Sequence, residues 1–183
     1  NDQFRWIDVL SDAGFAAMDF AAREHLELSR SFINAYLEQT GDHASPSLLR
    51  WYLVFRAMVR AKVAGIRATQ DESECSESMR ACRDHIDLAY RFALRQDPYL
   101  WIKHGVSGSG KTTASEGIVR RFGAIRLRSD FERKRHFGIS PSARLSERAK
   151  RKIYSESANH ATYSRLRRLA TGILRAGYPV IID

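Results

Sequence analysis

Apolar residues recur at helical intervals along the first half of the chain, whereas in the second half they gather into short runs separated by helical stretches. From Trp6 to about Glu24, Ile7, Leu10, Ala13, Ala17 and Phe20 form one stripe and predict a helix. A second helix is predicted over about Leu26 to Gln39, with Leu28, Phe32, Tyr36 and Leu37 inward and Gly41 as a stop signal just beyond. Ser45-Pro46 opens a longer one to about Thr69, Pro46 suiting the first helical position, with Leu49, Tyr52, Phe55, Val59, Val63 and Ile66 on its inner side. The acidic patch Asp71-Glu72-Ser73-Glu74 suits the first turn of a fourth helix, to about Arg95, packed by Ile86, Tyr90, Phe92 and Leu94. Gln96-Asp97-Pro98 breaks the pattern and sets the expected boundary between residues 1–97 and 98–183.

Beyond Pro98 the pattern alternates. A short apolar strand, Tyr99 to Lys103, is followed by a Gly-rich turn and a helix from about Lys111 to Phe122, in which Ala114, Ile118, Val119 and Phe122 carry the apolar period and Gly123 marks the end. A second strand covers Ala124 to Arg128, and Ser129 with Glu132 suggests a capping box for a short helix. A loop around Gly138 to Pro141 leads into a basic helical region whose last part carries Leu166, Leu169, Ala170, Ile173 and Leu174 on one face. Pro179 to Ile182 is a buried-type strand that ends on Asp183. The expected fold is therefore α/β: an all-helical N-terminal part, then a parallel sheet with crossover helices on both faces, a three-layer α/β/α arrangement. A sheet of three strands exposes an unpaired edge and favours self-association.

The turn after the first strand carries the chemistry. Gly105-Val106-Ser107-Gly108-Ser109-Gly110-Lys111-Thr112 fits the phosphate-binding pattern G-x-x-x-x-G-K-[ST] without deviation, and Thr113 follows it. Glycines let successive backbone N–H groups turn inward onto phosphate oxygens that side chains would block. Lys111 is expected to reach the β- and γ-phosphates as a point charge, Thr112 to place its hydroxyl on Mg²⁺, and the helix start to add the positive end of its dipole. ATP and Mg²⁺ are the implied ligands.

Two carboxylates follow at strand ends, where open parallel sheets place ligands. Asp130, after the second strand, suits the acceptance or orientation of an attacking hydroxyl, or else it merely favours the helix start. Arg133, one turn on, could clamp a substrate phosphate or carboxylate, or be a solvated arginine. Asp183 suits a Mg²⁺-directed acid on a strand beside the phosphate-loop strand, or is simply the last residue. In the helical half, Asp8 and Asp12 stand one turn apart and are assigned to capping or the helix surface. His43, His85, His136 and His160 form no spaced set and receive no role.

Composition narrows the partners. Residues 1–98 hold 12 Lys+Arg against 15 Asp+Glu, and residues 99–183 hold 18 against 6, so the net charge of +9 comes from the second half. That half implies an anionic partner: nucleotide first, with nucleic acid as the lesser alternative. No run of 18 apolar residues exists, so no membrane partner is expected, nor does the start resemble a signal peptide. Cys75 and Cys82, about 10 Å apart on a helix, are too distant to bridge and point to reduced thiols in the cytoplasm.

The segment Lys103 to Thr113, with Gly123-Ala124-Ile125-Arg126-Leu127-Arg128-Ser129-Asp130-Phe131-Glu132-Arg133-Lys134-Arg135, resembles a family of bacterial kinases with an AAA-type ATP-binding domain, akin to the polynucleotide-kinase, gluconate-kinase and zeta-toxin types. The resemblance implies that the Asp of its R-S-D-x-x-R stretch is the base, which falls on Asp130, and that its Arg falls on Arg133. Phe4 to Asp12, Phe32 to Asp42 and Tyr52 to Lys62 are similar in pattern to the last helices of an aminoglycoside-phosphotransferase-like domain, which precedes the kinase in two-domain members. On that resemblance the chain is an internal fragment across a domain junction. The phosphotransferase-like H-G-D segment would precede Asn1, and the later kinase strands and lid would follow Asp183, leaving the α/β domain incomplete. The implied activity is transfer of the ATP γ-phosphoryl group to a hydroxyl of a small molecule. A nucleotide-gated ATPase and a nucleic-acid end kinase are the alternatives.

Overall fold

The computed structural model describes residues 8–70, 73–94, 97–105 and 110–183, with the side chains of residues 111, 112 and 152 outside that description. The described residues fall into two compact units, one drawn from Asn1–Ile33 and Leu48–Arg95, the other from Asn34–Ser47 and Gln96–Asp183.

The first unit is helical. It contains α1 (Val9–Ala22), the first half of α2 (Leu26–Thr40), α3 (Pro46–Gln70) from Leu48 onward, and α4 (Cys75–Ala93). Asp8 caps α1 by accepting the Leu10 N–H at 2.9 Å and also takes the Tyr52 hydroxyl at 2.8 Å, while Asp12 faces Arg56 at 3.5 Å, so both carboxylates are structural. Leu10, Ala13 and Ala17 of α1 are buried as the period predicts, joined by Met18. The expected inner face of α3 is corrected. Leu49 is buried as expected, but Phe55, Val59, Val63 and Ile66 lie outward, and Leu53, Ala57, Ala61 and Ala68 are buried instead. α3 carries apolar residues on two faces, and α1 approaches it closely at Tyr52, where a Cβ added to Gly14 would stand 3.2 Å from the Tyr52 Cβ. Ile86, Tyr90 and Leu94 are likewise exposed, and Leu88 and Ala89 are the buried pair of α4. Cys75 and Cys82 are free thiols. No described helix is long and apolar enough to cross a membrane.

The second unit is α/β. Its strands are β1 (Leu100–Ile102), β2 (Ile125–Leu127) and β3 (Val180–Ile182), all parallel in the order β1-β3-β2, with Val180 opposite both Leu100 and Ile125. The last strand in sequence is thus the central one, and Val180 and Ile181 are fully buried. α5 (Lys111–Phe122) connects β1 to β2, and α6 (Ser129–His136), α7 (Glu147–Ile153) and α8 (Glu156–Arg175) connect β2 to β3. Val119, Ala124 and Ile181 form the core beneath α5, with Trp101 and Ile118 packed against it. Of the predicted α5 stripe, Val119 is buried and Ile118 packs on the core, whereas Ala114 and Phe122 are exposed and Ser115 is buried in their place. On the edge strand β1, Leu100 and Ile102 are exposed.

The other outer strand has cover. In the segment 34–47, drawn from the helical half, the Asn34 amide donates to the Ala124 carbonyl at 3.0 Å and accepts the Arg126 N–H at 2.7 Å, as a neighbouring strand would. Glu38 pairs with Arg126 at 2.5 Å, and the Glu38 carbonyl accepts from Arg135. A capping box at Ser129 and Glu132 does not form. Arg128 is the N-cap of α6 without a side-chain cap bond, and Glu132 is fully buried, its carboxylate taken by Arg135, by Arg165 at 2.8 Å and by His43 at 3.4 Å. Three basic partners outweigh the single N–H that a capping box would supply.

Candidate functional site

The C-terminal ends of the three strands define the site. β1 leads into the Gly-rich segment, and Gly110 then caps α5 with φ +76°, a left-handed conformation that a side chain would resist. Val106, Ser107, Gly108 and Ser109 lie outside the described residues, as do the side chains of Lys111 and Thr112. The backbone of Lys111 opens α5, Gly105 follows β1, and Thr113 is exposed on the first turn of the helix. The strand and the helix that the phosphate-loop pattern requires therefore stand before and after it.

Asp183 follows the central strand, beside β1. Its carboxylate accepts the hydroxyl of the fully buried Ser115 at 3.1 Å, one turn into α5, which holds this acid against the helix that opens at Lys111. Its N–H bonds the Leu127 carbonyl at 3.0 Å, and its carbonyl accepts the Ser129 N–H at 2.8 Å. Asp183 is thereby fixed from both neighbouring elements, with its other carboxylate oxygen unpaired among the described residues. A hard oxygen donor held in that position fits a Mg²⁺ ligand. Ser115 was not foreseen from sequence. Its position four residues after Lys111 was the available signal, obscured by a predicted stripe that put Ala114 inward.

Asp130 lies in the first turn of α6, next to Ser129 and so close along the chain to the backbone bond with Asp183. One of its oxygens accepts the Tyr154 hydroxyl at 2.7 Å and the other faces the Lys134 ammonium at 3.0 Å. Partial burial pushes the carboxyl up, but these two donors outweigh it and, with Arg128 nearby, hold Asp130 below the usual carboxylate range. Burial, together with the bond to Asp130, pushes the Tyr154 phenol up, so the hydroxyl remains a donor at neutral pH. Arg128 itself lies over the Phe131 ring at 4.0 Å.

Arg133 is buried. Its Nη1 donates to the Ile153 carbonyl at 3.2 Å and to Asn159, and its guanidinium lies 4.4 Å over the Tyr154 ring. It joins the end of α7 to the start of α8 and seats the tyrosine between them. His43, given no role from sequence, is buried against Glu132 beneath α6.

A parallel α/β sheet with a phosphate loop after its first strand and an acid after the adjacent strand defines a P-loop NTPase-type, nucleotide-binding domain. The comparisons agree: residues 100–183 match the AAA_33 family, described as an AAA domain. The whole chain is 30% identical, over 182 residues, to Uncharacterized protein Rv2004c of Mycobacterium tuberculosis and to Uncharacterized protein Mb2027c of Mycobacterium bovis. It covers 36% of each, so the chain spans about a third of the length of the curated relatives it matches. No solved structure matches.

Proposed function

We propose that the protein is a kinase that transfers the γ-phosphoryl group of ATP to a hydroxyl of a small molecule. The observation that carries this reading is the placement of two differently held acids at one edge of the sheet. Asp183 is tied to the phosphate-loop helix through Ser115, and Asp130 stands just beyond with a hydroxyl already bonded to it. Loop amides from Gly105 to Thr113 and the Lys111 ammonium would bind the phosphates. Thr112 and Asp183 would hold Mg²⁺, which when bound neutralises charge on the phosphate oxygens. Asp130, ionised at neutral pH, would accept the hydrogen bond of the attacking hydroxyl, orient its lone pair towards phosphorus and take its proton as the new bond forms. Arg133 contributes by ordering the acceptor side around Tyr154. Most of the rate gain in such a site comes from positioning and charge stabilisation.

On this reading, the front helices correspond to the end of an aminoglycoside-phosphotransferase-like domain, a correspondence supported by the segments 4–12, 32–42 and 52–62. The setting is cytoplasmic, where ATP is plentiful and thiols such as Cys75 and Cys82 stay reduced. The test is labelled-phosphate transfer by the full-length protein to small alcohols, sugars and nucleic-acid ends, measured beside bare ATP hydrolysis. The expected result is transfer to a small hydroxyl, reduced about 100-fold or more by Asp130→Asn. Hydrolysis without transfer favours a nucleotide-gated ATPase, and transfer confined to nucleic-acid ends favours an end kinase. Transfer indifferent to Asp130→Asn removes the base assignment.

A further inference from the structure

Each oxygen of Asp130 already accepts from one of the protein's own donors, so an acceptor hydroxyl meets an occupied carboxylate and competes most directly with the donor that it resembles. The two are unequal. The Lys134 side chain is largely buried, lies one helical turn from Asp130 and also donates to the Pro141 carbonyl at 2.9 Å. Tyr154 is half exposed, sits in the short turn between Ile153 and the α8 cap Ser155, and holds Asp130 through a single O–H donor. That donor is also the functional group an acceptor alcohol would present.

Resting on the kinase reading above, we propose that the Tyr154 hydroxyl occupies the acceptor's place on Asp130, and that the acceptor hydroxyl takes over this hydrogen bond when it binds. Tyr154 is thus a positioning residue that withholds Asp130 until an acceptor arrives. Water is the smallest competing acceptor, and it is kept from Asp130 by the same contact, which limits futile hydrolysis of ATP. The turn returns to its seat because Arg133, anchored on Ile153 and Asn159, offers the Tyr154 ring a fixed cationic face. Among the described residues, the groups facing Asp130 are Lys134 on its own helix, Arg128 at the preceding corner and Tyr154 from the turn, with Arg133 behind the ring.

The test is hydrolysis of MgATP by the full-length protein with no acceptor added, as a function of pH, in wild type, Tyr154→Phe, Asp130→Asn and the double variant. Phenylalanine keeps the ring on Arg133 and removes only the donor. Tyr154→Phe is expected to raise hydrolysis about 10-fold and to move the acid limb of its pH profile upward by roughly one unit, the worth of one hydrogen bond to a carboxylate. The double variant is expected to lose that gain. Hydrolysis unchanged or lowered by Tyr154→Phe, a gain that survives Asp130→Asn, or phosphate found on Tyr154 itself would each overturn the proposal. Calorimetry separates this failure from failure of the kinase reading. MgATP uptake that depends on Lys111, together with an inert Tyr154→Phe, sinks only the Tyr154 proposal. Absence of Lys111-dependent uptake sinks the underlying reading.

Discussion

The side-chain oxygen of Asn34 accepts the backbone N–H of Arg126 at 2.7 Å, from a position ninety-two residues earlier in the chain. The same amide donates to the Ala124 carbonyl, so its orientation is determined by one partner that can only donate and one that can only accept. A single side chain thereby completes the outer edge of β2 and makes a piece of the helical half part of the α/β unit.

Asn34→Ala is expected to leave the fully buried Ala124 carbonyl and the Arg126 N–H without partners. The stability of the α/β unit should fall by about 3 kcal/mol, since each orphaned backbone group costs roughly 1–3. Urea denaturation measures it. A midpoint unchanged from wild type would show that the edge is satisfied without Asn34.

Acid should loosen the same unit through Glu132. Burial raises the pKa of this carboxyl, but His43, Arg165 and Arg135 outweigh it and push it down to about 2 from a reference of 4.5. A depressed carboxylate adds stability that is complete above its unfolded value and is lost as pH falls through its folded one. The loss is therefore expected between about pH 4.5 and 2. Glu132→Gln should flatten that limb and, at neutral pH, destabilise by about 3 kcal/mol through the unpaired Arg135 and Arg165. Thermal melts across the pH range check both, and an acid limb as steep in Glu132→Gln as in wild type would reassign the effect elsewhere.

Ser115→Ala removes the hydroxyl that holds Asp183 and touches no nucleotide contact directly. The magnesium concentration for half-maximal activity should rise about 10-fold, as when an outer partner of a metal ligand is lost, while the KM for ATP at saturating magnesium stays near wild type. A magnesium titration of the variant decides it. An unchanged magnesium requirement would remove Asp183 from the metal site.

Much of the architecture was legible from local pattern. Helix starts at Leu26, Pro46 and Lys111 follow from periodicity and terminus chemistry, and Gly123 adopts the positive φ that its place just past a helix implies. Where pattern misled, the local signal was ambiguous. α3 is apolar on two faces, so periodicity offered two stripes and the alanine-bearing one is buried. Ser129 and Glu132 match a capping box in spacing, but three basic side chains from α6, α8 and the segment 34–47 claim the glutamate. At the candidate site, Asp130 and Asp183 stood out as acids at strand ends, whereas the spacing of Ser115 from Lys111 was masked by the apolar stripe and Tyr154 matched no recognisable spacing.

By itself the sequence determined the succession of helices and strands, the phosphate-loop pattern and the acids that follow β3 and β2, because each of these is written in a run of neighbouring residues. Tertiary structure alone decided that the last strand lies in the centre, that Asn34 closes the β2 edge, and that a tyrosine twenty-four residues downstream rests on Asp130. Those pairings are selected by which faces pack together, and side chains distant in sequence carry no local mark of the partner that burial will give them.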